Sequence, residues 1–111
     1  MADREDAKEY IHKLYNNLSK REDHSAELID ITDVLLQVYT KLDHEKNPAA
    51  LVNRLVNYIR SMALKGKIHF PSEDEKLMIE LRQIGQRAGL NGVYRSNYSD
   101  KSQFYSYLGE K

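Results

Sequence analysis

The chain has 111 residues, enough for one domain around a single core, and its formal net charge is zero. A neutral chain has no overall field to draw it to nucleic acid or anionic lipid, and the lack of cysteine excludes disulfides and thiolate catalysis. The charged start, MADREDAKEY, is no signal peptide, and no apolar run approaches the ~20 residues of a membrane span. We therefore expect a soluble, cytoplasmic protein.

Apolar residues recur at three- and four-residue steps in four segments, which predicts helices over about 3–19, 25–44, 48–65 and 73–88. Ser25 and Asn47-Pro48 are start signals, and Ser72 with Glu75 has the spacing of a capping box. Gly66 and Gly89 are placed as helix ends, and Gly85 as a point of close approach. Short connections favour an all-α fold, an antiparallel up-down four-helix bundle over residues 1–89.

After the bundle the helical period stops, and residues 90–111 form a C-terminal tail of the same domain. Asn91-Gly92 predicts a chain reversal. The tail is too rich in aromatic residues for a free linker, so part of it should fold back on the bundle. Each tail aromatic either packs on helices 3 and 4 or contacts a partner, and both interpretations stay open for Tyr94, Tyr98, Phe104, Tyr105 and Tyr107.

Charge is distributed unevenly between the second and third helices. Residues 21–44 hold two basic and six acidic side chains, whereas residues 45–71 hold five basic and one acidic side chain. One interpretation is that the two helices attract each other across solvent, by ~1 kcal/mol or less per exposed pair. The other is that helix 3 presents a basic face to a partner.

Catalytic and metal-binding patterns are weak. No two of the four histidines lie three or four residues apart, so we expect no metal site and no cofactor. His12 beside Lys13 suggests a histidine phosphotransfer module, but no glycine follows to admit a phosphodonor. Four arginines suggest an anion pocket like that of all-helical chorismate mutases, although solvated faces explain them better: Arg54, Arg60, Arg82 and Arg87. A small all-helical enzyme or phosphotransfer module is therefore the alternative function.

Three segments resemble the cytoplasmic immunity proteins of pediocin-like (class IIa) bacteriocins. They are LVNRLVNYI at residues 51–59, Lys67-Ile68, and IGQRAGLNGVYRSNYSDKSQF at residues 84–104. Matches in helical segments are weakly specific, because periodicity alone generates many of them. The irregular tail segment is highly specific, because no periodicity generates it. Residues 105–111 continue beyond the resemblance.

The resemblance implies a four-helix bundle without enzymatic activity that protects the producing cell from a bacteriocin. The implied partner is the membrane permease of the mannose phosphotransferase system in its bacteriocin-bound form, with no strong binding to free bacteriocin. The protein would be cytoplasmic, with a fraction at the inner membrane face when bacteriocin is present. We expect a monomer that binds no nucleic acid.

In this family the C-terminal half governs which bacteriocins are resisted, so the tail is the expected recognition surface. Aromatic, arginine and amide side chains are the types enriched at binding hot spots. The expected tail residues are Arg87, Asn91, Tyr94, Arg95, Tyr98, Asp100, Lys101 and Phe104. A second, basic patch is expected at Arg54, Arg60, Lys65 and Lys67.

Overall fold

The computed structural model describes residues 3–88 and 101–105. They form four α-helices, α1 (Asp3–Ser19), α2 (Ala26–Lys41), α3 (Pro48–Gly66) and α4 (Ser72–Gln86), followed by one 3-10 turn, η1 (Lys101–Phe104). Helix α3 packs against α2 and α4, and α1 closes the bundle by packing on the same two helices. The predicted all-α four-helix bundle is confirmed. None of the described helices is long and apolar enough to cross a membrane.

The core is made by one apolar face from each helix. Helix α3 contacts all three other helices, so most of its circumference is covered and its solvent-exposed residues are confined to a narrow strip. Helix α3 is therefore the central helix of the bundle, against which the other three helices pack. Its buried side chains include Leu51, Leu55, Tyr58, Ile59 and Met62.

Two predicted helix starts are confirmed by their caps. The Ser25 hydroxyl accepts a hydrogen bond from the Leu28 backbone N–H at 3.1 Å. The Asn47 side chain accepts one from the Ala50 N–H at 3.2 Å, and Pro48 occupies the first turn, where its missing N–H costs nothing.

Two helices end earlier than the sequence predicts. Helix α2 ends at Lys41 rather than at residue 44, because the chain tightens there into i to i−3 hydrogen bonds from Asp43 and His44. Helix α4 ends at Gln86 rather than at residue 88, and the N–H of Arg87 likewise bonds three residues back, to Ile84.

The predicted capping box at the start of α4 is wrong. Pro71 is the N-cap residue and offers no capping side chain, while Ser72 is already helical. The Glu75 carboxylate does not return to the cap, because it accepts two hydrogen bonds from Arg60 of α3. Asp74 is buried and accepts a hydrogen bond from the Asn17 side chain of α1 at 2.9 Å. Tertiary partners and the helix dipole therefore stabilise this acidic first turn.

Two glycines mark close helix crossings. A Cβ at Gly85 would lie 2.8 Å from the Asn53 Cα, so the predicted close approach to a neighbouring helix is confirmed there. Gly66 was predicted to follow the end of α3, but it is the last helical residue. A Cβ at Gly66 would lie 2.8 Å from the Glu27 Cβ, so α2 requires the glycine. The left-handed residue is Lys67, with φ of 55°. Gly89 lies outside the described residues.

Candidate functional site

The tail returns to the bundle at η1, as predicted. The Phe104 side chain is fully buried, and its ring meets the Tyr58 ring of α3 edge-on, with 5.3 Å between the ring centroids. The Lys41 ammonium of α2 donates a hydrogen bond to the Phe104 carbonyl at 3.2 Å. Full burial of a phenylalanine contributes about 1.5–3 kcal/mol. Phe104 therefore packs on the bundle and is the apolar anchor of the tail. The helices that receive it were predicted as the third and fourth, but its contacts here are with α2 and α3.

Lys101 supplies the electrostatic part of the same docking. Its ammonium lies 2.9 Å from the Asp30 carboxylate and 3.2 Å from that of Asp33, both on α2. The hydrogen bond to Asp30, with a second to Asp33, raises the pKa of Lys101 above its ordinary value despite partial burial. Lys101 therefore stays protonated throughout the physiological range.

Asp30 and Asp33 of α2 are thus directed at the tail and not at α3. Among the described residues, Asp30 and Asp33 pair with Lys101, and Asp43, just after the helix, pairs with Lys8 of α1 at 2.5 Å. The predicted attraction between the second and third helices is wrong for these carboxylates. Their partners lie in the tail and in α1.

Tyr58 lies beneath the docked tail with an incompletely satisfied side chain. Its hydroxyl is buried and has no hydrogen-bond partner among the described residues. Burial, helped by the negative charge of Asp30, raises the pKa of Tyr58 to about 12. A buried hydroxyl without a partner costs about 1–3 kcal/mol. The unpartnered hydroxyl therefore offsets part of what burial of the Tyr58 ring contributes.

Arg87 fixes the other side of the expected recognition segment. It follows α4 directly and pairs with Asp3 in the first turn of α1, while about half of its side chain stays exposed. Arg87 and Lys101 are therefore each held by a carboxylate of a different helix. The remaining expected tail residues lie outside the described residues: Asn91, Tyr94, Arg95, Tyr98 and Asp100.

The expected basic patch divides into two parts. Arg60 and Lys67 line one groove of about 510 Å³ at the α3–α4 connection. Arg54 and Lys65 do not line it, since they lie six residues before and five after Arg60, which places them on another flank of α3. The structure therefore brings together only Arg60 and Lys67.

The four arginines of the alternative enzyme hypothesis do not converge. Arg60 pairs with Glu75 at the start of α4, whereas Arg87 pairs with Asp3 beyond its end, and one helix length separates them. Arg82 is exposed to solvent. Among residues 3–88 and 101–105, no group of three or more potential ligand side chains is placed to hold a metal ion.

Sequence reasoning missed the bundle residues that receive the tail. Asp30 and Asp33 are three residues apart and share one face of α2, a spacing that could have indicated a site for a cation. Tyr58 stands as a polar-tipped residue within an otherwise apolar stripe of α3. Lys41 carried no signal, because a lysine in the last turn of a helix is expected from the dipole alone.

Comparison with known proteins agrees with this architecture. A model of the bacteriocin immunity protein family matches residues 5–86. The chain is 56% identical over 102 residues to a probable leucocin-A immunity protein of Leuconostoc gelidum, and 53% identical over 102 residues to a probable mesentericin-Y105 immunity protein of Leuconostoc mesenteroides. Each alignment covers 92% of this chain and 89% of the relative.

Alignments of that length extend past α4, so the likeness includes part of the tail as well as the bundle. No solved structure matches the chain. The resemblance to immunity proteins of class IIa bacteriocins is confirmed. The chain belongs to the bacteriocin immunity protein family and is not an enzyme.

Proposed function

We propose that this protein protects the cell that makes it by engaging the bacteriocin-bound permease of the mannose phosphotransferase system at the inner membrane face. It does so from the cytoplasm, without a cofactor and without strong binding to free bacteriocin. The observation that carries the proposal is the docking of η1 on α2 and α3 through Lys101 and Phe104. That docking attaches the tail, which the family resemblance makes the specificity element, to a rigid bundle.

Anchoring both sides of the recognition segment favours binding for an entropic reason. A segment that is free in solution must be ordered when it binds, and that ordering subtracts from the affinity. Arg87 is tied to α1 and Lys101 to α2, so the segment between them begins and ends at fixed points. Much of the ordering cost is then met by folding rather than by binding.

Within this proposal the expected tail residues have two different roles. Phe104 is fully buried and cannot touch a partner while docked, so it positions the tail. Lys101 positions it as well, through the two aspartates. Direct contacts are assigned to the other expected residues: Arg87, Asn91, Tyr94, Arg95, Tyr98 and Asp100.

The first test is protection. The protein is expressed in a strain sensitive to class IIa bacteriocins, and the inhibitory concentration is measured for a broad panel that includes leucocin A and mesentericin Y105. We expect resistance to at least one member of the panel. Full expression of folded protein without resistance to any member would contradict the immunity function in this chain.

The second test addresses the partner. An affinity-tagged protein is recovered from protected cells with and without bacteriocin, and the permease is measured in each recovered fraction. We expect the permease only in the sample with bacteriocin. Protection without recovery of the permease, or equal recovery in both samples, would exclude the proposed mode of engagement while leaving immunity itself intact.

A further inference from the structure

A groove at the α3–α4 connection is lined by none of the described tail residues, 101–105. Its walls include the apolar side chains of Leu64, Ile68 and Phe70, and its cations are Arg60 and Lys67. Leu64 is 82% exposed, the most exposed large apolar side chain among the described residues. A single exposed leucine is ordinary, but this one borders a recess with two further apolar side chains. The surface therefore combines apolar area with positive charge in one concave place.

Lys67 closes α3 and carries the exposed charge of this groove. Its backbone is left-handed, with φ of 55° and ψ of 43°, a conformation that favours glycine and next asparagine. The glycine of this segment is at residue 66 instead, where a Cβ would collide with the Glu27 side chain of α2. The hydrogen bonds that close the helix here come from backbone N–H groups of Lys67 and Ile68, so they do not require a lysine side chain. The cap leaves the Lys67 side chain exposed and not used by these hydrogen bonds.

Arg60 is presented at the same groove in a fixed orientation. Both terminal guanidinium nitrogens donate to the Glu75 carboxylate, each at 3.0 Å, and about two-fifths of the Arg60 side chain remains exposed. Glu75 cancels much of the charge of Arg60, so Lys67 is the uncompensated cation. No ion pair of the described residues includes Lys67. A ligand with one carboxylate matches this balance.

The surroundings favour a peptide over a membrane surface. The α1–α2 connection lies against the groove, since Arg21 donates a hydrogen bond to the His69 carbonyl. This end of the bundle therefore also exposes the carboxylates of Glu22, Asp23 and Glu73. A flat anionic bilayer would contact these carboxylates together with Lys67 and would be repelled by them. A narrow peptide can contact Lys67 alone.

We propose that the α3–α4 groove is a second interaction surface, which binds a partner segment carrying an apolar side chain next to a carboxylate. The apolar side chain packs against Leu64, Ile68 and Phe70, and the carboxylate pairs with Lys67 while Arg60 borders the site. The surface is separate from the tail docking on α2. It therefore adds a contact to the proposed recognition of the permease and does not replace the tail.

The test is an NMR titration of the isotope-labelled full chain with three probes. One is an acetylated, amidated heptapeptide of alternating leucine and glutamate, and the second has lysine in place of glutamate. The third is a set of vesicles with and without phosphatidylglycerol. We expect only the acidic peptide to shift the amides of Leu64, Lys67 and Ile68. Equal shifts with the basic peptide, binding to the vesicles instead, or no shifts at all would overturn the proposal.

Matched variants locate the site. Lys67→Asn removes the charge and suits the left-handed backbone, so it should fold normally and bind the acidic peptide about fivefold more weakly, as expected for an exposed ion pair. Leu64→Gln should weaken binding about tenfold. Lys65→Gln removes the same charge from a residue that does not line the groove, and its affinity should match that of the wild type. If Lys65→Gln weakens binding as much as Lys67→Asn, the effect is general electrostatics and the site is wrong.

Discussion

The acidic face of α2 and the basic end of α3 use their charges in opposite ways. On α2, Asp30 and Asp33 receive a cation from the tail of the same chain. At the end of α3, Lys67 is exposed and takes part in none of the ion pairs of the described residues. The charges of the first surface are paired within the folded chain, whereas the charge of Lys67 is available to a partner. The net charges of the two helices, one acidic and one basic, do not show this difference.

The largest expected effect is at the anchor of the tail. Phe104→Ala removes the only tail side chain that is fully buried among the described residues, and should lower the free energy of unfolding by about 2–3 kcal/mol. Urea denaturation measures this loss, and limited proteolysis should cleave the tail faster. Protection should fall with docking. The control Phe104→Leu keeps most of the apolar volume, so its free energy of unfolding should lie between those of the wild type and Phe104→Ala. Unchanged proteolysis of Phe104→Ala would show that docking does not depend on this ring.

Reversing the charge of Lys101 should have the next largest effect. Lys101→Glu places a carboxylate against Asp30 and Asp33, and the tail should leave α2. Adding Asp30→Lys and Asp33→Lys to the same chain should restore docking, because the pairs are re-formed with opposite sign. Proteolysis of the tail and the protection assay report the result.

Rescue by the triple variant would show that the ion pairs of Lys101 with Asp30 and Asp33 hold the tail on α2. Failure of the triple variant, with the bundle still helical by circular dichroism, would contradict the assignment of these carboxylates as the partners of Lys101. Raising the salt concentration should release the tail of the wild type partially, since exposed pairs are screened.

A smaller effect of opposite sign is expected at Tyr58. Tyr58→Phe removes a buried hydroxyl that has no partner among the described residues, so it should stabilise the protein by about 1 kcal/mol. The midpoint of urea unfolding should rise without a change of slope. A loss of stability would mean that the hydroxyl is bonded after all.

The smallest effect concerns the partly exposed ion pair of Arg60 and Glu75. Arg60 lowers the pKa of Glu75, chiefly through the hydrogen bonds, so the pair stabilises the fold above the ordinary glutamate pKa. That contribution is lost as the pH falls through and below the ordinary glutamate pKa, and solvent screening limits it to ~0.5 kcal/mol. Arg60→Gln should remove this part of the acid dependence, measured by urea unfolding at each pH. An identical pH profile would show that the pair contributes nothing measurable.

Sequence reasoning reached the bundle because its determinants are local. Helical periodicity and the caps at Ser25 and Asn47 depend on residues within one turn. It failed at the capping box, where Glu75 takes a tertiary partner, and at Gly66, where the constraint comes from α2. Sequence reasoning could not find the ion pair of Lys101 and Asp30, because the two residues are 71 positions apart and no periodic pattern connects them. The groove is different, because its lining lies between Arg60 and Glu75. The sequence indicated its two cations as part of a larger basic patch, but not that Arg54 and Lys65 lie outside it.

The environment of Tyr58 makes the docked tail visible by optical spectroscopy. The chain has no tryptophan, so its near-ultraviolet absorption comes mainly from its eight tyrosines. Tyr58 ionises with a pKa of about 12, above the ordinary value near 10 for an exposed phenol. Release of the tail would bring water to its hydroxyl and lower that pKa. Alkaline difference spectra of the wild type, with Tyr58→Phe to identify the late-ionising phenol, can therefore follow docking without an added label.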